Sequence, residues 1–446
     1  MMKRIFLFLS LLAALVACSD NDSFTSSPSA RLTFSVDTVK MDTVFSTVAS
    51  STYTFWVFNN ASDGIRLKSV RLRSGNQTGF RVNVDGSYLD NALGSVANDL
   101  EVRKGDSIRV FVELTAPENG MQEPQLIKDD LVFTLESGVE QRVCLHSYAW
   151  DAIQLRNVRV SRDSVISSSK PIVVYGGIRV DSAATLTIQG ASLYFHDKAG
   201  IDVYGTLVTQ DVQLRGDRLD HMFDYLPYDR VSGQWRGLHF YSSSFDNSLI
   251  NTEIRNPEDG ILIDSALVSP DHQRLYMERS VIHNCKGSAL KSLNAYIGLL
   301  NCQISNAQDD CLAIYGGVAI FDHCTIAQFY PFVGGRGAAL RFTNYYNDYD
   351  YPLLQMQLTN SIVTGYDADV VMGEMRDSTV AYQYYFENDL LRTPEVTDST
   401  RFVNIQWEEP KDSTGGKKHF VLIDEKNLIY DFHLDSLSTA NGKGCY

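Results

Sequence analysis

The sequence predicts an all-β protein in which a β-sandwich is followed by a right-handed parallel β-helix. The main observation is a four-residue phrase that recurs between residues 177 and 372: Gly, an apolar residue, any residue and a second apolar residue. Clear copies occupy residues 177–180, 200–203, 237–240 and 260–263, and weaker copies occupy 289–290, 311–314, 339–342 and 369–372. Between the first apolar positions, 178, 201, 238, 261, 290, 312, 340 and 370, the steps are 23, 37, 23, 29, 22, 28 and 30 residues. Such self-similarity indicates stacked coils of 22 or 23 residues, with insertions in the longer steps.

A second apolar track runs beside the first and ends in an amide. Its members are Ile254, Ile282, Ile304 and Ile326, followed two residues later by Asn256, Asn284, Asn306 and Gln328. Two apolar tracks with one turn amide per coil are typical of a parallel β-helix, whose strands pair about 4.8 Å apart with the next coil. Stacked amides bond each other and the backbone at the bend, which stabilises the turn.

The segment from residue 31 to residue 150 has a different pattern. Short alternating strands at 32–36, 53–58 and 108–114 are separated by turns at 59–60, 85–86 and 104–106. Regular strands of this kind favour a β-sandwich. We expect it to act as a spacer and to cover the open end of the β-helix, which spans 151–446, because an uncovered coil would expose unpaired strand edges.

The N-terminus predicts a lipid anchor. Lys3 and Arg4 precede an apolar run from 5 to 16, too short to span a bilayer, so residues 1–18 are a signal peptide ending at Cys18. Residues 15–18 resemble the lipobox of bacterial lipoproteins, whose cysteine is acylated, and residues 19–30 are predicted to form a flexible tether. The alternative is a cleaved signal with an incidental cysteine. The predicted location is the outer membrane at the cell surface, with the periplasmic face left open.

Composition excludes some partners. The chain has 446 residues, 44% of them hydrophobic, and a net charge of -15, which argues against binding nucleic acid. The six cysteines after Cys18 are irregularly spaced, so we predict no zinc site, no other metal and no cofactor. Cys302 and Cys324 occupy equivalent positions in adjacent coils and are expected to be packed thiols, with a disulfide as the alternative. The sequence does not indicate the oligomeric state.

The chain resembles Gram-negative surface lipoproteins with an immunoglobulin-like domain followed by a right-handed parallel β-helix of the pectin-lyase-like superfamily. The resemblance lies in residues 15–18, 184–207, 431–434 and 436–442, and covers nearly the whole chain. Members of this group without a mapped active site are suspected of binding or processing polysaccharide, which is an analogy at the level of fold.

One segment, residues 306–314, is similar to the paired-aspartate motif of polygalacturonase-type glycosidases. Two further fragments, 256–260 and 334–337, are similar to that family's Asn-x-Asp-Gly and Gly-His-Gly elements. This resemblance implies inverting hydrolysis by two carboxyl groups about 6.5 to 9.5 Å apart. The candidate catalytic residues are Asp259, Asp309, Asp310 and Arg336.

The sequence departs from that family in three ways. The coil containing Gly287 and Ser288 lies between Asp259 and Asp310, which separates them by roughly 9.6 Å along the axis. Arg336 replaces the expected histidine, and no Arg-x-Lys pair follows to bind a uronate. The alternative is that Asp309 and Asp310 stabilise a turn by accepting backbone hydrogen bonds.

Aromatic insertions suggest a binding surface. The loops in the 37- and 30-residue steps place tyrosines beside Asp and Asn, a composition suited to sugars. The candidate ligand-binding residues are Tyr225, Tyr228, Trp235, Tyr345, Tyr346, Tyr349 and Tyr351. The alternative is that these rings pack over the coils or contact a protein.

The function predicted from the sequence is recognition of extracellular polysaccharide, or of another surface component, by a lipid-anchored protein. The first alternative is a polysaccharide-degrading glycoside hydrolase, and the second is a structural or adhesive surface protein.

Overall fold

The computed structural model describes residues 23–221, 226–408 and 415–445. The chain divides into two compact units, one ending at Asp151 and the other beginning at Ala152. Within the described ranges the regular structure is strands and three short 3-10 helices, Asn91–Leu93, Tyr228–Arg230 and Gly415–His419. None of these helices has the length and apolar character needed to cross a membrane.

From residue 23 onward, the first unit contains eleven strands in two sheets. They are β1 (Phe24–Thr25), β2 (Thr33–Phe34), β3 (Thr38–Phe45), β4 (Tyr53–Phe58), β5 (Gly64–Leu72), β6 (Phe80–Val84), β7 (Ser87–Tyr88), β8 (Val96–Val102), β9 (Ser107–Leu114), β10 (Gln125–Leu135) and β11 (Glu140–Trp150). One sheet has the order β1-β5-β10-β11-β3 with β8 also paired to β5, and the other has the order β2-β4-β9-β6-β7. Both sheets contribute to one hydrophobic core, for example through Val57 of β4 and Leu67 of β5.

Strand β1 lies within the predicted tether over residues 19–30. Phe24 pairs in parallel with Gly64 of β5, and the Arg66 guanidinium lies 4.5 Å from the centre of its ring. A Cβ at Gly64 would lie 2.7 Å from the Phe24 ring, so the glycine permits this contact. One apolar residue in a polar segment has no periodicity, which is why the sequence did not reveal the strand. Residues 1–18, including Cys18, and residues 19–22 lie outside the described residues.

The second unit contains a parallel sheet of 23 strands that closes into a β-helix-like stack of coils. Its strands before the tyrosine-rich loop are β12 (Ile153–Val160), β13 (Ser164–Ile166), β14 (Ile172–Val180), β15 (Thr185–Phe195), β16 (Gly200–Val203), β17 (Thr206–Gly216), β18 (Gly237–Phe240), β19 (Asn247–Arg255), β20 (Ile261–Ile263), β21 (Leu275–Glu278), β22 (Val281–Cys285), β23 (Leu290–Leu300), β24 (Gln303–Ala307), β25 (Leu312–Asp322), β26 (Thr325–Gln328) and β27 (Leu340–Thr343). A small hairpin, β28 (Tyr345–Tyr346) and β29 (Tyr349–Asp350), follows. The remaining strands of the stack are β30 (Leu353–Thr359), β31 (Ile362–Gly365), β32 (Val371–Glu374), β33 (Tyr382–Glu387), β34 (Leu390–Leu391), β35 (Phe402–Val403) and β36 (Gln406–Trp407).

The recurring Gly phrase predicted the register of these coils almost completely. The first apolar positions pair in the order Ile178, Ile201, Leu238, Ile261, Leu290, Leu312 and Leu340. The last predicted step is wrong by one residue, because Leu340 pairs with Val371 and not with Val370. The shift places Gly373 opposite Phe342, where a Cβ would lie 2.5 Å from the ring. The bulk of Phe342 explains why a glycine occupies this position.

The predicted turn amides form hydrogen bonds between coils. Asn284 Nδ2 donates to Asn256 Oδ1 at 2.8 Å, and Asn306 Oδ1 accepts from the Phe329 N–H at 3.0 Å. All three asparagines have positive φ, a conformation that Asn tolerates better than most residues. Cys302 and Cys324 are fully buried free thiols in the core of the stack.

The stack ends before the predicted boundary at residue 446. After β36, residues 415–445 form a 3-10 helix and the antiparallel hairpin β37 (Phe420–Asp424) and β38 (Ile429–Leu434), and we call this segment the C-terminal cover. Phe420 and Phe432 pack with Phe329 and Ile362 in a separate hydrophobic cluster. The predicted β-helix over 151–446 is therefore wrong for the cover, whose apolar residues pack against the coils and do not extend the parallel sheet.

Candidate functional site

The strands of the Gly phrase present one outward side chain per coil, and we call this row the outer column. Because side chains alternate along a strand, the residue between two buried apolar positions faces outward. In register, the column consists of Arg179, Asp202, His239, Leu262, Lys291, Ala313, Arg341 and Met372. Most of these side chains are polar and partly accessible, so the column is a surface that a ligand can reach.

The predicted catalytic residue Asp310 has structural partners. Its Oδ1 accepts from the Ala338 N–H at 2.7 Å, its Oδ2 accepts from Arg341 Nε at 2.7 Å, and it is buried. These bonds attach the loop before β27 to the preceding coil. These contacts agree with the alternative to a catalytic role, in which the Asp310 carboxylate stabilises a turn.

Asp259 has a different environment, although it occupies the equivalent position two coils away. Backbone bonds from Gly260 N to Ser288 O, and from Ala289 N to Asp310 O, establish that the coil of Ser288 lies between them. Asp259 is half-buried and accepts one hydrogen bond, from the Ser288 N–H at 2.9 Å. Burial, together with the negative charge of Asp309, raises the pKa of the Asp259 carboxyl.

Gly287 allows the Asp259 carboxyl to lie against the intervening coil. A Cβ at this position would lie 2.2 Å from Asp259 Oδ1. The Gly287 carbonyl also accepts from the Asp309 N–H at 3.2 Å, so the glycine lies between the two acidic residues. Asp309 itself is exposed. The negative charge of Asp309 therefore acts on the Asp259 carboxyl across the intervening coil.

Three residues that the sequence did not single out lie near these aspartates. The Lys291 charge acts on Asp259, and Arg341 binds Asp310. Burial and the nearby Asp310 charge raise the pKa of Tyr315 to about 12. Lys291 and Arg341 belong to the outer column. A polar residue at the third position of the Gly phrase is the sequence signal that identifies them.

Arg336 is directed toward a different group of residues. Its Nη2 donates to Val333 O at 3.2 Å, and its guanidinium lies 4.7 Å from the centre of the Tyr366 ring. The structure therefore places this side chain against an aromatic ring, whereas Arg341 is the cation that binds the carboxylate of Asp310.

The predicted tyrosines near residue 350 form the hairpin β28–β29, which folds over the outer column. Lys291 Nζ donates to the Tyr346 hydroxyl at 2.6 Å, and the rings of Tyr346 and Tyr315 have centroids 4.5 Å apart. Tyr345 donates to Glu374 Oε2 at 2.8 Å. Tyr349, at the turn, is 70% exposed.

The same hairpin is closed by Tyr351, whose N–H donates to Asn344 O at 2.9 Å. Arg376 lies 4.9 Å from the centre of the Tyr345 ring and pairs with Asp350 at 2.5 Å. These contacts fix the hairpin and leave the Tyr349 ring available.

The other insertion, before β18, contributes fewer accessible aromatic side chains than predicted. Tyr225 lies outside the described residues, and Tyr228 is half-buried under the Arg218 guanidinium at 4.1 Å. Trp235 is 1% exposed and stacks on Phe195 with centroids 4.3 Å apart. The prediction that Trp235 contacts a ligand is wrong because its ring fills the core of the coil.

A second aromatic group lies along the outer face toward the start of the stack. The Tyr204 and Tyr241 rings are stacked with centroids 4.0 Å apart, and Arg179 lies 4.2 Å from the centre of Tyr204. Arg236 pairs with Asp202 at 2.7 Å beside them. Across the part of the chain that the structure describes, no group of three or more His, Cys, Asp or Glu side chains is arranged to hold a metal ion.

No protein-family profile and no curated protein matches the sequence. Among solved structures, the catalytic unit of a thermostable family 87 α-1,3-glucanase from Streptomyces thermodiastaticus strain HF3-3 is 10% identical, covering 81% of this chain and 90% of its own, with a TM-score of 0.30. A family 87 α-1,3-glucanase catalytic domain in complex with nigerose is 9% identical, covering 77% and 82%, with a TM-score of 0.24. A family 123 glycoside hydrolase from Clostridium perfringens is 10% identical with a TM-score of 0.20, and the match spans 29% of this chain and only 26% of that enzyme. These TM-scores are too low to assign a fold or a function.

Proposed function

We propose that the second unit binds extracellular polysaccharide through the outer column and the hairpin β28–β29. The principal support is the position of Tyr346, whose ring lies over Tyr315 while its hydroxyl accepts from Lys291. Aromatic faces cover the apolar C–H groups of a sugar ring, and neighbouring charged groups bond its hydroxyls. The stacked Tyr204 and Tyr241 supply a second such position on the same face.

The repeat of the coils suits an extended ligand. Outer-column side chains recur about every 4.8 Å along the stack, so a chain of sugar units would meet similar contacts at successive coils. Isolated small sugars would fill only part of this surface. We therefore expect binding to strengthen with oligosaccharide length.

Binding is tested with a soluble form that lacks residues 1–18, presented to a panel of polysaccharides and oligosaccharides. Tyr349→Ala removes an exposed ring and should weaken binding about threefold to tenfold, the worth of one aromatic contact. The matched control is Tyr88→Ala, which removes a ring that is 49% exposed in the first unit. Equal binding by Tyr349→Ala, Tyr346→Ala and the wild type would favour a structural or adhesive role over this proposal.

A second candidate function is glycoside hydrolysis, supported by the raised pKa of Asp259 beside Asp309. A carboxyl group that stays protonated can donate its proton to the glycosidic oxygen as the C–O bond breaks. Asp309, which is exposed, would remove a proton from the water that attacks the anomeric carbon. Asp310 would hold Arg341 and take no part in the proton transfers.

Hydrolysis is tested by the release of reducing ends from the polysaccharides that bind. Asp259→Asn should lower the rate by roughly 10²-fold to 10⁴-fold, the usual contribution of a general acid. Gly287→Ala should also lower it, because the new Cβ displaces the Asp259 carboxyl. Asp271→Asn, an exposed loop change, is the control. Binding without any release of reducing ends would eliminate this second candidate and leave the first intact.

We further propose the cellular setting that the N-terminal sequence predicts. Cys18 would be acylated and hold the protein at the outer membrane, facing the cell exterior. The first unit would be an immunoglobulin-like sandwich that acts as a spacer, and the coils of the second would wind as a right-handed parallel β-helix. Metabolic labelling with a fatty acid, lost in Cys18→Ser, tests the anchor.

A further inference from the structure

A cavity of about 210 Å³ lies beside the coils, between the insertion that precedes β18 and the hairpin β37–β38. Arg215, Arg230 and Arg255 line it, and Asp229 is the one carboxylate among its described lining residues. The cavity is thus positively charged, although the chain has a net charge of -15.

The strands and turns fix the cavity in place. Arg215 of β17 pairs in register with Arg255 of β19, and Arg255 pairs with His283 of β22. Across from them, Arg230 Nη1 donates to Asn427 O at 3.0 Å and so joins the insertion to the C-terminal cover. Asn284 Nδ2 donates to Arg230 O at 2.7 Å, so the turn amides also support the cavity.

Two hydrogen-bond donors among the lining residues are buried and unused. Arg215 Nε and the Tyr430 hydroxyl hydrogen-bond no group in the described part of the chain. Buried polar groups are normally hydrogen-bonded, and leaving one unsatisfied is unfavourable. Arg215 keeps one bond, from Nη2 to the Asp229 carbonyl at 3.1 Å, which holds its guanidinium in place.

The remaining lining groups limit what could neutralise these cations. Asp229 lies 3.7 Å from Arg230 Nε and 2.9 Å from His221 Nε2, and Arg255 pairs with Glu253. Burial and the Arg255 charge lower the pKa of His283 to about 3, so His283 is neutral and adds no charge. Arg215 forms no ion pair with a carboxylate in the described part of the chain, although the charges of Asp229 and Glu253 act on it from a distance. Its fork of N–H groups suits an oxyanion.

We propose that this cavity binds the carboxylate or sulfate group of one acidic sugar unit, with the arginines holding the oxyanion and Tyr430 donating to it. This inference rests on the proposed polysaccharide binding and specifies the ligand as an acidic saccharide. Ile429 and the Tyr430 ring provide apolar surface for the sugar ring. Asn256 lines the cavity, and Asp259 follows it by three residues in the same turn.

The test is calorimetric titration of the soluble chain with glucuronate, sulfate and glucose. Glucuronate should bind and glucose should not, and Arg215→Gln and Arg255→Gln should each weaken glucuronate binding at least about tenfold, as expected for the loss of a charged hydrogen bond. Arg162→Gln, an exposed change in the first coils, should bind like the wild type. Higher salt should weaken the interaction.

Circular dichroism melting shows whether each variant folds. If Arg215→Gln does not fold, Arg230→Gln is tested in its place. Equal binding of glucose and glucuronate, or binding of sulfate alone, would overturn the inference. So would an equal loss of affinity in Arg162→Gln. The polysaccharide proposal fails separately, because its test is the loss of polysaccharide binding in Tyr349→Ala, and Tyr349 does not line this cavity.

Discussion

The coil stack and the C-terminal cover are both parts of the second unit, but different kinds of contact hold them. Within the stack, Ile282 pairs with Ile254 on one side and Ile304 on the other, and each coil repeats the arrangement. The cover instead depends on contacts between distant residues, such as that of Arg230 with Asn427. A repeated interface distributes stability over many equivalent contacts, whereas the cover relies on a few particular ones.

The contacts at the junction of the two regions are buried and charged. Glu408 pairs with Arg392 at 3.2 Å, accepts from Thr364 Oγ1 at 2.6 Å and lies 3.7 Å from His419 of the cover. Nearby, Lys443 Nζ donates to Asn388 O at 2.7 Å, next to the buried Asp389. Substitutions at these residues should therefore affect the stability of the stack and that of the cover to different extents.

The largest expected effect is the pH dependence of stability due to Asp389. Its Oδ1 accepts from the Ser361 N–H at 2.7 Å, and burial raises its pKa to about 8. The folded protein therefore holds a proton that the unfolded chain releases near its usual pKa of about 4, so the unfolding free energy falls as pH rises from about 4 to about 8. Asp389→Asn should remove this loss, on the order of several kcal/mol, in urea unfolding at pH 5 and pH 8.5.

The control for this prediction is Asp271→Asn, which changes an exposed carboxylate in a loop. It should keep the pH slope of the wild type. If Asp389→Asn shows that same slope, Asp389 ionises normally in the folded protein and the prediction is wrong.

A smaller effect is expected from Glu408→Gln. Removing this charge leaves Arg392 buried without its partner, which should cost about 3 kcal/mol. The loss should appear first in the cover, because His419 belongs to it. Amide hydrogen exchange should therefore accelerate in β37 and β38 more than in β22 or β24.

Glu395→Gln removes an exposed charge close in sequence and should leave exchange unchanged. If amide exchange in Glu408→Gln accelerated equally in the coils and in the cover, the two regions would unfold as one body and would not differ in the way they are held.

The smallest effect is expected from Asn284→Ala, within the stack. It removes the bonds to Asn256 Oδ1 and Arg230 O and places alanine at a φ of 62°. Together these losses should lower the unfolding free energy by about 2 kcal/mol, measured as a shift in urea midpoint. A change at Asn284 that left the midpoint unmoved would show that the amide row adds no stability.

The sequence predicted the features that repeat. Spacing alone located the paired apolar positions from Ile178 to Leu340, the turn amides and the buried Cys302 and Cys324. It also identified Asp259 and Asp310 as equivalent positions in their coils. Periodicity is informative here because every coil must satisfy the same pairing and the same core.

Features that depend on a single distant contact were missed. The strand at Phe24 depends on Gly64, the shifted register at Val371 depends on Phe342, and the cover depends on a cluster around Phe329. The arginine cavity was missed for the same reason, because Arg215 and Arg255 are 40 positions apart in sequence and meet only through strand pairing. The sequence positions of such residues follow no repeat, so their spacing does not indicate which residues they contact.

The pairing of Phe24 with Gly64 also bears on how far the protein can extend from a membrane. If Cys18 holds the lipid as proposed, only six peptide steps join it to the first strand, and covalent geometry limits that reach to about 20 Å. The start of the first unit would then lie close to the lipid headgroups, whatever the length of the protein beyond it.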